Sequence, residues 1–356
     1  MQSFYYLGLM SGTSLDGADI VYVEFKKDKS ELITFDLIAS KTYNYSQEWV
    51  SKLSKLTEDS ALNFCKTDVY LAVLFSSWIE EFIKEFQIDK NKITAIGSHG
   101  HTIFHQIDKK FSTQIGNGNT ISVMTQLPVV CDFRMKNVQY GGQGAPLVPV
   151  GDFDLFSLEA DSFLNIGGIC NISYKQNNQI IAYDICPGNL PLNKLSQLLG
   201  KKYDKNGLIA KSGEINFFLL DMLNELPFYK INKTKSLGVE WLENEFYPLI
   251  KMDHSIEKNL RTIVEHIAIQ VAKVLNDNNI NSVLLSGGGA KNTFLVERIQ
   301  HYYKGKIKLP STSIIDYKEA IIFAYLAHLR WNNQNNCLSS VTGSKKDMCT
   351  GVIYYP

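Results

Sequence analysis

The chain opens with two apolar, β-rich runs that flank a short loop of glycine, serine, threonine and aspartate. Both runs lie within Tyr5–Phe25 and predict a β-hairpin. The pattern then predicts, in order, a strand at Leu32–Ala39, a helix over Ser60–Phe86, strands at Ile93–Ser98 and Phe111–Gly116, a helix at Thr120–Gln126 and a strand at Pro128–Cys131. This mixture of strands and helices is typical of a layered α/β domain.

A similar order begins again near Ser162. Strands at Phe163–Ile166 and Ile169–Tyr174 flank a Gly-Gly turn, and a third follows at Gln179–Tyr183. The remaining pattern predicts a helix at Leu190–Leu199, a long helical region over Glu214–Leu275, a strand at Ser282–Ser286 and a helix at Lys291–Gln300. We interpret the apolar stripe from Ile256 to Val274 as core packing. The two halves predict a duplicated α/β unit with a cleft between the copies.

Composition narrows the class of protein. A length of 356 residues favours two domains, and 45% apolar with 20% charged residues is typical of a soluble globular protein. The 36 basic and 36 acidic residues balance, which argues against a nucleic-acid or anionic-membrane partner. The sequence contains no recognisable signal peptide and no apolar run near the length of a membrane span, so we expect a cytoplasmic location.

Metal binding finds little support in the sequence. The six cysteines are scattered without a CxxC pair, which argues against a zinc site or a disulfide framework. His99, His101 and His105 have a spacing that could suggest a metal, but no cysteine or carboxylate cluster accompanies them. We expect this run to be a strand followed by a loop that either binds a polar substrate or forms plain surface. We predict no metal-ligating residues.

Three glycine-rich turns could together surround a nucleotide. They are GTSLDGAD at Gly12–Asp19, NIGGICN at Asn165–Asn171, and the SGGGAKN that follows an apolar strand within Leu284–Asn292. Such turns expose backbone N–H groups to an anion, and the third precedes a predicted helix. Each is also compatible with an ordinary turn, and no P-loop motif is present. As a set, they suggest two phosphate clamps and an adenosine seat.

Two further positions could carry chemistry. Asp184 ends a predicted strand and is followed by Pro187-Gly188-Asn189 before a helix, which would place its carboxylate at a cleft. A turn or helix-capping aspartate is an equally good interpretation. Asp132 and Arg134, near the GGQGAPLVP loop, could bind a polar ligand or form a buried ion pair.

These motifs, in this order over essentially the whole chain, resemble the anhydro-N-acetylmuramic acid kinase family. MSGTSLDG together with GGQGAPLVP is highly specific. The resemblance implies two ribonuclease H-like (actin-like ATPase) domains that flank a central cleft, with residues 1–130 plus about 336–356 in one domain and 131–335 in the other. It further implies that the protein opens 1,6-anhydro-N-acetylmuramic acid with water and phosphorylates O6 with ATP. The products would be N-acetylmuramic acid 6-phosphate and ADP, formed during recycling of the cell wall.

The resemblance also assigns roles to individual residues. Asp184 matches the catalytic aspartate, as the general base that deprotonates the attacking water. ATP with Mg²⁺ would bind at Gly12, Thr13, Ser14, Leu15, Asp16, Gly17, Ala18, Asp19, Asn165, Gly167, Gly168, Gly287, Gly288 and Gly289. Contacts with the sugar are expected at Arg134, Glu319, Asp132, Gly188 and Asn189. A homodimer is expected as well.

The chain departs from the family pattern at a few positions. Cys186 stands where glycine is usual and Asn137 where aspartate is usual, and Leu237 and Val239 replace the threonine and arginine of a Lys-Ser-Thr-Gly-Arg-Glu motif. Cys186 could narrow the pocket or simply pack. Two other functions stay open: an ordinary sugar kinase of the same fold, and a nucleotide-binding regulator without catalysis.

Overall fold

The structure is a computed structural model that describes residues 2–12, 15–27, 33–231, 235–251 and 255–356. It divides into two compact units. The first consists of Met1–Phe156 with Tyr317–Pro356, and the second of Ser157–Asp316. The described part of each unit contains its own mixed β-sheet.

The first unit combines seven described strands with helices. Its elements are β1 (Gln2–Ser11), β2 (Gly17–Lys27), β3 (Ile33–Asn44), α1 (Gln47–Lys55), α2 (Ala61–Glu85), β4 (Ile93–Gln106), β5 (Phe111–Ile115), α3 (Gly118–Thr125), β6 (Val129–Cys131), α4 (Met135–Gln139) and α5 (Val148–Leu155). The sheet order is β12-β6-β4-β1-β2-β3, with β5 paired to β4 and with β12 (Val352–Tyr354) contributed by the last part of the sequence. β1 runs antiparallel to β2 and parallel to β4. Leu71, Phe75 and Ile79 of α2 pack on this sheet without solvent exposure.

The second unit follows the same plan. Its elements are β7 (Ser162–Ile166), β8 (Ile169–Gln176), β9 (Gln179–Pro187), α6 (Asn189–Gln197), α7 (Leu208–Ser212), α8 (Phe217–Asn224), α9 (Val239–Trp241), α10 (Ile256–Asp277), β10 (Ser282–Ser286), α11 (Thr293–Tyr302) and β11 (Lys306–Lys308). The sheet order is β11-β10-β7-β8-β9. Leu260, Ile263, Ile267 and Val271 of α10 are fully buried in its core, which confirms their interpretation as a packing stripe.

The two sheets share one topology. In each, the first three strands form an antiparallel meander, and the next strand pairs parallel to the first. The order third-second-first-fourth is that of ribonuclease H-like domains, and a short parallel strand extends each sheet beyond the fourth. The predicted α/β class and its duplication are confirmed.

The division between the units lies later in the chain than the boundary expected at 130–131. Residues up to Phe156 stay with the first unit because this ring packs edge-on against Phe35 of β3, with centroids 5.2 Å apart. The chain returns to the first unit at Tyr317, within α12 (Thr312–Trp331), rather than near residue 336. The backbone of α12 lies directly on β4, since any side chain at Gly97 would clash with the carbonyl oxygen of Phe323. The unit then ends with α13 (Ser339–Thr342) and β12 (Val352–Tyr354).

The predicted helical region over Glu214–Leu275 was wrong as one element. The structure has α8, α9, short 3₁₀ and π turns, and then α10. Pro227 and Pro248 each stand at the start of a 3₁₀ turn, where proline prevents the backbone hydrogen bonds of a continuous helix. None of the helices in the described ranges is long and apolar enough to cross a membrane.

Candidate active site

The first glycine-rich turn joins β1 to β2, as the pattern predicted. Its described residues are Gly12 and Leu15–Asp19, whereas Thr13 and Ser14 lie outside the described residues. Leu15 has a left-handed backbone (φ 58°), and its N–H donates to the carbonyl oxygen of Gly12 at 3.4 Å. Position 17 has room only for glycine, because a Cβ there would clash with the carbonyl of Tyr43 on β3.

The far side of this turn carries two carboxylates, those of Asp16 and Asp19. Asp19 is half-buried, and its Oδ1 accepts a hydrogen bond from Thr42 Oγ1 at 2.6 Å. Asp16 is exposed. Ala18 is 1% exposed and points into the core, so only its backbone could meet a ligand.

The two other glycine turns come together at one edge of the second sheet. β7 and β10 are parallel neighbours, with Asn165 opposite Ser286, so the turns that follow them are adjacent. A Cβ on Gly287, whose φ is +77°, would clash with Asn165 Oδ1. Gly288 is exposed, and within the described ranges a Cβ there would meet Asn189 Nδ2 alone, at 3.7 Å. A ligand could therefore touch the backbone at this edge.

Backbone hydrogen bonds brace the Gly167-Gly168 turn. The N–H of Gly188 donates to the Gly168 carbonyl, and that of Asn189 to the Gly167 carbonyl, both at 2.8 Å. Asn189 Nδ2 also donates to the Ile166 carbonyl at 3.1 Å. Gly188 and Asn189, expected to contact sugar, thus belong to the same cluster as the glycine turns.

A 3₁₀ turn separates the triple glycine from the predicted helix. Gly288–Lys291 form this turn, and α11 begins only at Thr293. Asn292 caps α11, with its Oδ1 accepting from the N–H of Leu295 at 3.0 Å. The helix N-terminus is therefore capped by its own side chain and does not open directly at the glycines. Ser286, 1% exposed, has no hydrogen-bond partner for its hydroxyl among the described residues.

Asp184 lies in β9 and is held by a segment about fifty residues further along the chain. Its Oδ2 accepts hydrogen bonds from Ser236 Oγ at 3.0 Å and from the N–H of Leu237 at 2.8 Å. Its own N–H donates to the Lys235 carbonyl at 3.0 Å. Burial raises the pKa of Asp184 above its ordinary value, and the two hydrogen bonds oppose that rise. Oδ1 makes no hydrogen bond within the described ranges, so it is available to accept a proton.

Of the three departures near Asp184, two are buried and one is exposed. Cys186 is fully buried in the core of the second unit and faces Cys170 across β8 and β9. Burial raises the pKa of the Cys186 thiol, so it packs as an apolar side chain. Leu237 is buried, whereas Val239 is exposed. Lys235 donates to the Phe228 carbonyl at 3.0 Å.

In the first unit, Arg134 is fixed by three hydrogen bonds. Its Nε and Nη2 donate to His99 Nε2 at 3.2 and 2.9 Å, and its Nη1 donates to the Gly144 carbonyl at 2.7 Å. Asn137 supports this loop, because its Oδ1 accepts from the N–H of Gly144 at 2.8 Å and its Nδ2 donates to Thr342 Oγ1 at 2.9 Å. Burial lowers the pKa of Arg134 to about 10.

Arg134 has no carboxylate partner within 4 Å among the described residues, so the buried ion pair considered for Asp132 and Arg134 is not formed. Asp132 instead accepts the N–H of Met135 at 3.4 Å. Desolvation raises the pKa of Asp132. Glu319 on α12 is half-buried, and desolvation raises its pKa while the charges of Lys318 and Arg134 lower it. Arg134 and Glu319 therefore interact through space without a direct contact.

A pocket of about 310 Å³ adjoins this arginine. His99, Asp132, Met135 and Tyr354 line it together with Asp68, Gly100, Cys131 and the segment 112–118. Asp68 shapes its wall by accepting hydrogen bonds from the N–H of Gly116 at 2.8 Å and from Asn117 Nδ2 at 3.1 Å. The pocket presents mainly polar groups, with a methionine and a tyrosine as apolar surface.

The histidine run was predicted wrongly as a strand followed by a loop. β4 continues through Gln106 and pairs with β5 from His101 onward. His99 and His101 are buried, whereas His105 is exposed. His101 Nδ1 lies 2.9 Å from Ser11 Oγ, at the end of β1. The described residues contain no group of three or more histidine, cysteine, aspartate or glutamate side chains that could hold a metal ion.

Comparison with known proteins decides the family. Residues 4–356 match the family described as anhydro-N-acetylmuramic acid kinase. The chain belongs to this family. A member from Mannheimia succiniciproducens is 35% identical over 99% of this chain and 100% of its own length. Another, from Haemophilus influenzae, is 36% identical over 99% and 98%.

Solved structures show weaker similarity. The activator of the 2-hydroxyisocaproyl-CoA dehydratase from Clostridium difficile, with bound ADPNP, aligns with a TM-score of 0.45 at 14% identity, over 90% of this chain and 92% of its own. A ROK family glucokinase from Streptomyces griseus, in complex with glucose and AMPPNP, aligns with a TM-score of 0.42 at 8% identity, over 90% and 98%.

Proposed function

We propose that this chain is an ATP-dependent kinase that opens 1,6-anhydro-N-acetylmuramic acid with water and phosphorylates O6. The products are N-acetylmuramic acid 6-phosphate and ADP, and the reaction serves the recycling of cell-wall sugars. The observation that carries the proposal is the family match over residues 4–356. In this chain Asp184 is present, and one of its carboxylate oxygens makes no hydrogen bond to any described residue.

Asp184 is proposed as the general base. Its Oδ2 is occupied by Ser236 and Leu237, so the carboxylate is oriented and Oδ1 accepts the proton of a water molecule. The water oxygen then forms a bond to C1 of the sugar as the C1–O6 bond breaks. O6 takes the γ-phosphoryl group of ATP, and ADP leaves. A fixed base supplies orientation as well as proton transfer.

For the nucleotide, we propose the hairpin turn Gly12–Asp19 as the phosphate loop, the hairpin turn Asn165–Asn171 as a second phosphate clamp, and the turn at Gly287–Gly289 as the adenosine seat. The exposed backbone of Gly288 and the close packing of Gly287 against Asn165 support the last assignment. Gly188 and Asn189 brace the Gly167-Gly168 turn of the second clamp. Their expected contact with the sugar stays a prediction.

Mg²⁺ is proposed as a companion of ATP rather than a resident metal. Magnesium is usually bound through phosphate oxygens, water and one or two carboxylates. The hairpin fits this requirement, because Asp16 and Asp19 supply carboxylate oxygens beside the phosphate loop. When bound, Mg²⁺ neutralises charge on the transferring phosphoryl group.

Arg134, Glu319 and Asp132 are proposed to contact the sugar. Arg134 is a guanidinium without a carboxylate partner in the described part of the chain, with two N–H groups beyond those already bonded. This arrangement suits the negative charge of an acidic amino sugar. The pocket beside Arg134 offers Asp132 as a hydrogen-bond acceptor and Met135 as apolar surface.

An Asp184→Asn variant tests the proposed chemistry. We expect it to bind ATP as the wild type does and to lose turnover by about 10²- to 10⁴-fold, the usual contribution of a general base. Asp221→Asn, on α8 of the same unit, is the matched control and should keep wild-type kcat. ATP binding is measured by calorimetry and turnover by ADP release. A near-normal rate for Asp184→Asn would remove Asp184 from its role.

We also propose a homodimer and a cytoplasmic location, both supported by the resemblance to the family. Light scattering of the purified full chain should give twice the 40.3 kDa monomer mass. A monomer mass at micromolar concentration, or recovery of the protein outside the cytoplasmic fraction, would count against the respective proposal.

A further inference from the structure

Arg134 owes most of its fixed orientation to one imidazole nitrogen. Two of its N–H groups, on Nε and Nη2, converge on His99 Nε2. The third donates to the Gly144 carbonyl on a loop. The arginine side chain is flexible and loses rotamer freedom when it is held in one geometry. An acceptor that two of its N–H groups share therefore sets the direction of the guanidinium.

The hydrogen bonds of His99 allow only one tautomer. Its Nδ1 lies 2.9 Å from the Gly100 carbonyl oxygen, which can only accept, so Nδ1 must carry the proton. Nε2 is then bare and can accept from Arg134, which can only donate. Burial and the charges of Arg134 and His101 hold the pKa of His99 well below its ordinary value, in agreement with a neutral ring. The other ionisable groups that interact with Arg134 are Glu319 and Cys337, which raise the pKa of the arginine, and His105, whose pKa the charge of Arg134 lowers.

The helix that carries Glu319 also fixes the imidazole ring. Phe323 lies one turn after Glu319 on α12, and its ring is in tilted contact with His99, with centroids 4.7 Å apart. Residues four apart share a helix face, so α12 presents Phe323 to His99 on the face that carries Glu319. The ring of His99 contacts both Arg134 and Phe323, so it links the position of the arginine to that of the helix that carries Glu319.

We infer that His99 is a positioning residue: as a neutral imidazole protonated on Nδ1, it holds the Arg134 guanidinium, beside Glu319, in the orientation that binds the acidic sugar. The inference rests on the proposed function for its substrate. His99 itself transfers no proton. It acts through Arg134, as a hydrogen-bond acceptor whose removal would leave two guanidinium N–H groups without a partner.

Two substitutions separate this role from simple packing. His99→Phe keeps a ring against Phe323 and removes the acceptor, whereas His99→Gln places an amide oxygen near the position of Nε2 and removes the ring. We expect His99→Phe to lower kcat/KM by about 10- to 100-fold, the size expected for lost hydrogen bonds to a charged group. His99→Gln should restore much of that loss. If the phenylalanine variant is the more active of the two, or both are equal, the inference is overturned.

A double-mutant cycle tests whether His99 acts through Arg134. Arg134→Ala removes the group that His99 positions, so His99→Phe should add no further loss in that background. His99→Phe should also divide its effect between KM and kcat in the same proportion as Arg134→Ala does. If the two substitutions lower kcat/KM independently, so that their fold-losses multiply in the double variant, the inference is contradicted. Urea unfolding of each variant identifies any loss caused by unfolding.

The tautomer can be measured without any activity. A long-range ¹H–¹⁵N spectrum of the full chain, with His99 assigned from its absence in His99→Gln, should show the proton on Nδ1 and a bare Nε2 at neutral pH. A proton on Nε2, or an imidazolium, would overturn the inference. If the wild type fails to phosphorylate the anhydro sugar, the proposed function fails, and this spectrum still decides the His99–Arg134 pair.

Discussion

Glu265 on α10 is the centre of a buried ionic network in the second unit, and it allows a quantitative prediction. Its side chain is 1% exposed. Arg298 donates to it from Nε and Nη2 at 2.9 and 2.7 Å, and Arg261 and Tyr302 donate as well. Burial raises the pKa of Glu265, but these donors outweigh burial and lower the pKa from 4.5 to about 2.

The lowered pKa translates into stability. At 1.36 kcal/mol per pKa unit, the difference between 4.5 and about 2 corresponds to about 3 kcal/mol of folding free energy. Because the folded-state pKa is the lower one, this stabilisation is present above pH 4.5 and is lost as the pH falls toward 2. Glu265→Gln removes the charge and leaves Arg261 and Arg298 without their carboxylate. We therefore expect the free energy of unfolding to fall by about 3 kcal/mol at pH 7.

Urea unfolding at pH 7, followed by circular dichroism, measures this loss. The control is Glu297→Gln on α11, whose carboxylate pairs with Lys211 at 3.3 Å on the surface. An exposed pair contributes about 0–1 kcal/mol, so the control should lose little. The difference between Glu265→Gln and the wild type should also shrink as the pH falls below 4.5. A loss for Glu265→Gln no larger than that of the control would show that the buried network stabilises the fold no more than a surface ion pair does.

Two further predictions concern the site. Ser236→Ala removes one donor to the Asp184 carboxylate while the N–H of Leu237 remains, so the pKa of Asp184 should rise and the acid limb of the kcat–pH profile should move to higher pH. An unmoved limb would contradict the positioning of Asp184 by Ser236. Gly17→Ala introduces a methyl group that clashes with the Tyr43 carbonyl, so the free energy of unfolding should fall by about 1–3 kcal/mol in a urea titration. A change within 0.5 kcal/mol, the range of an ordinary surface substitution, would show that the hairpin tolerates a side chain there.

Local patterns predicted the parts of the fold that local forces determine. The two hairpins were predicted because apolar, β-rich runs on each side of a glycine-rich turn favour the pairing of neighbouring strands. The packing face of α10 was predicted from helical spacing alone. In contrast, the polar run after Ser98 was predicted as a loop, and it forms a strand because β5 pairs with it.

The site was predicted residue by residue, but its partnerships were not. Asp184 was singled out from its position near a strand end, yet its partners Ser236 and Leu237 lie about fifty residues away and meet it only in the folded chain. His99 was considered in the sequence as a possible metal ligand. Its contact with Arg134 forms because the parallel strands β4 and β6 pair and bring their ends together. The pairing of a neutral imidazole with a guanidinium has no recognisable motif in a single sequence.

The origin of the oxygen at C1 of the product distinguishes a kinase that opens the anhydro ring with water from an ordinary sugar kinase. The full chain is incubated with Mg-ATP and anhydro-N-acetylmuramic acid in ¹⁸O-labelled water, and the product is examined by mass spectrometry. We predict one phosphate on O6 and one heavy oxygen at C1, because water attacks C1 while O6 leaves to accept the phosphoryl group. A phosphorylated sugar with its anhydro ring intact would indicate an ordinary sugar kinase. ATP binding without turnover would indicate a regulator. Either result would contradict the proposed function.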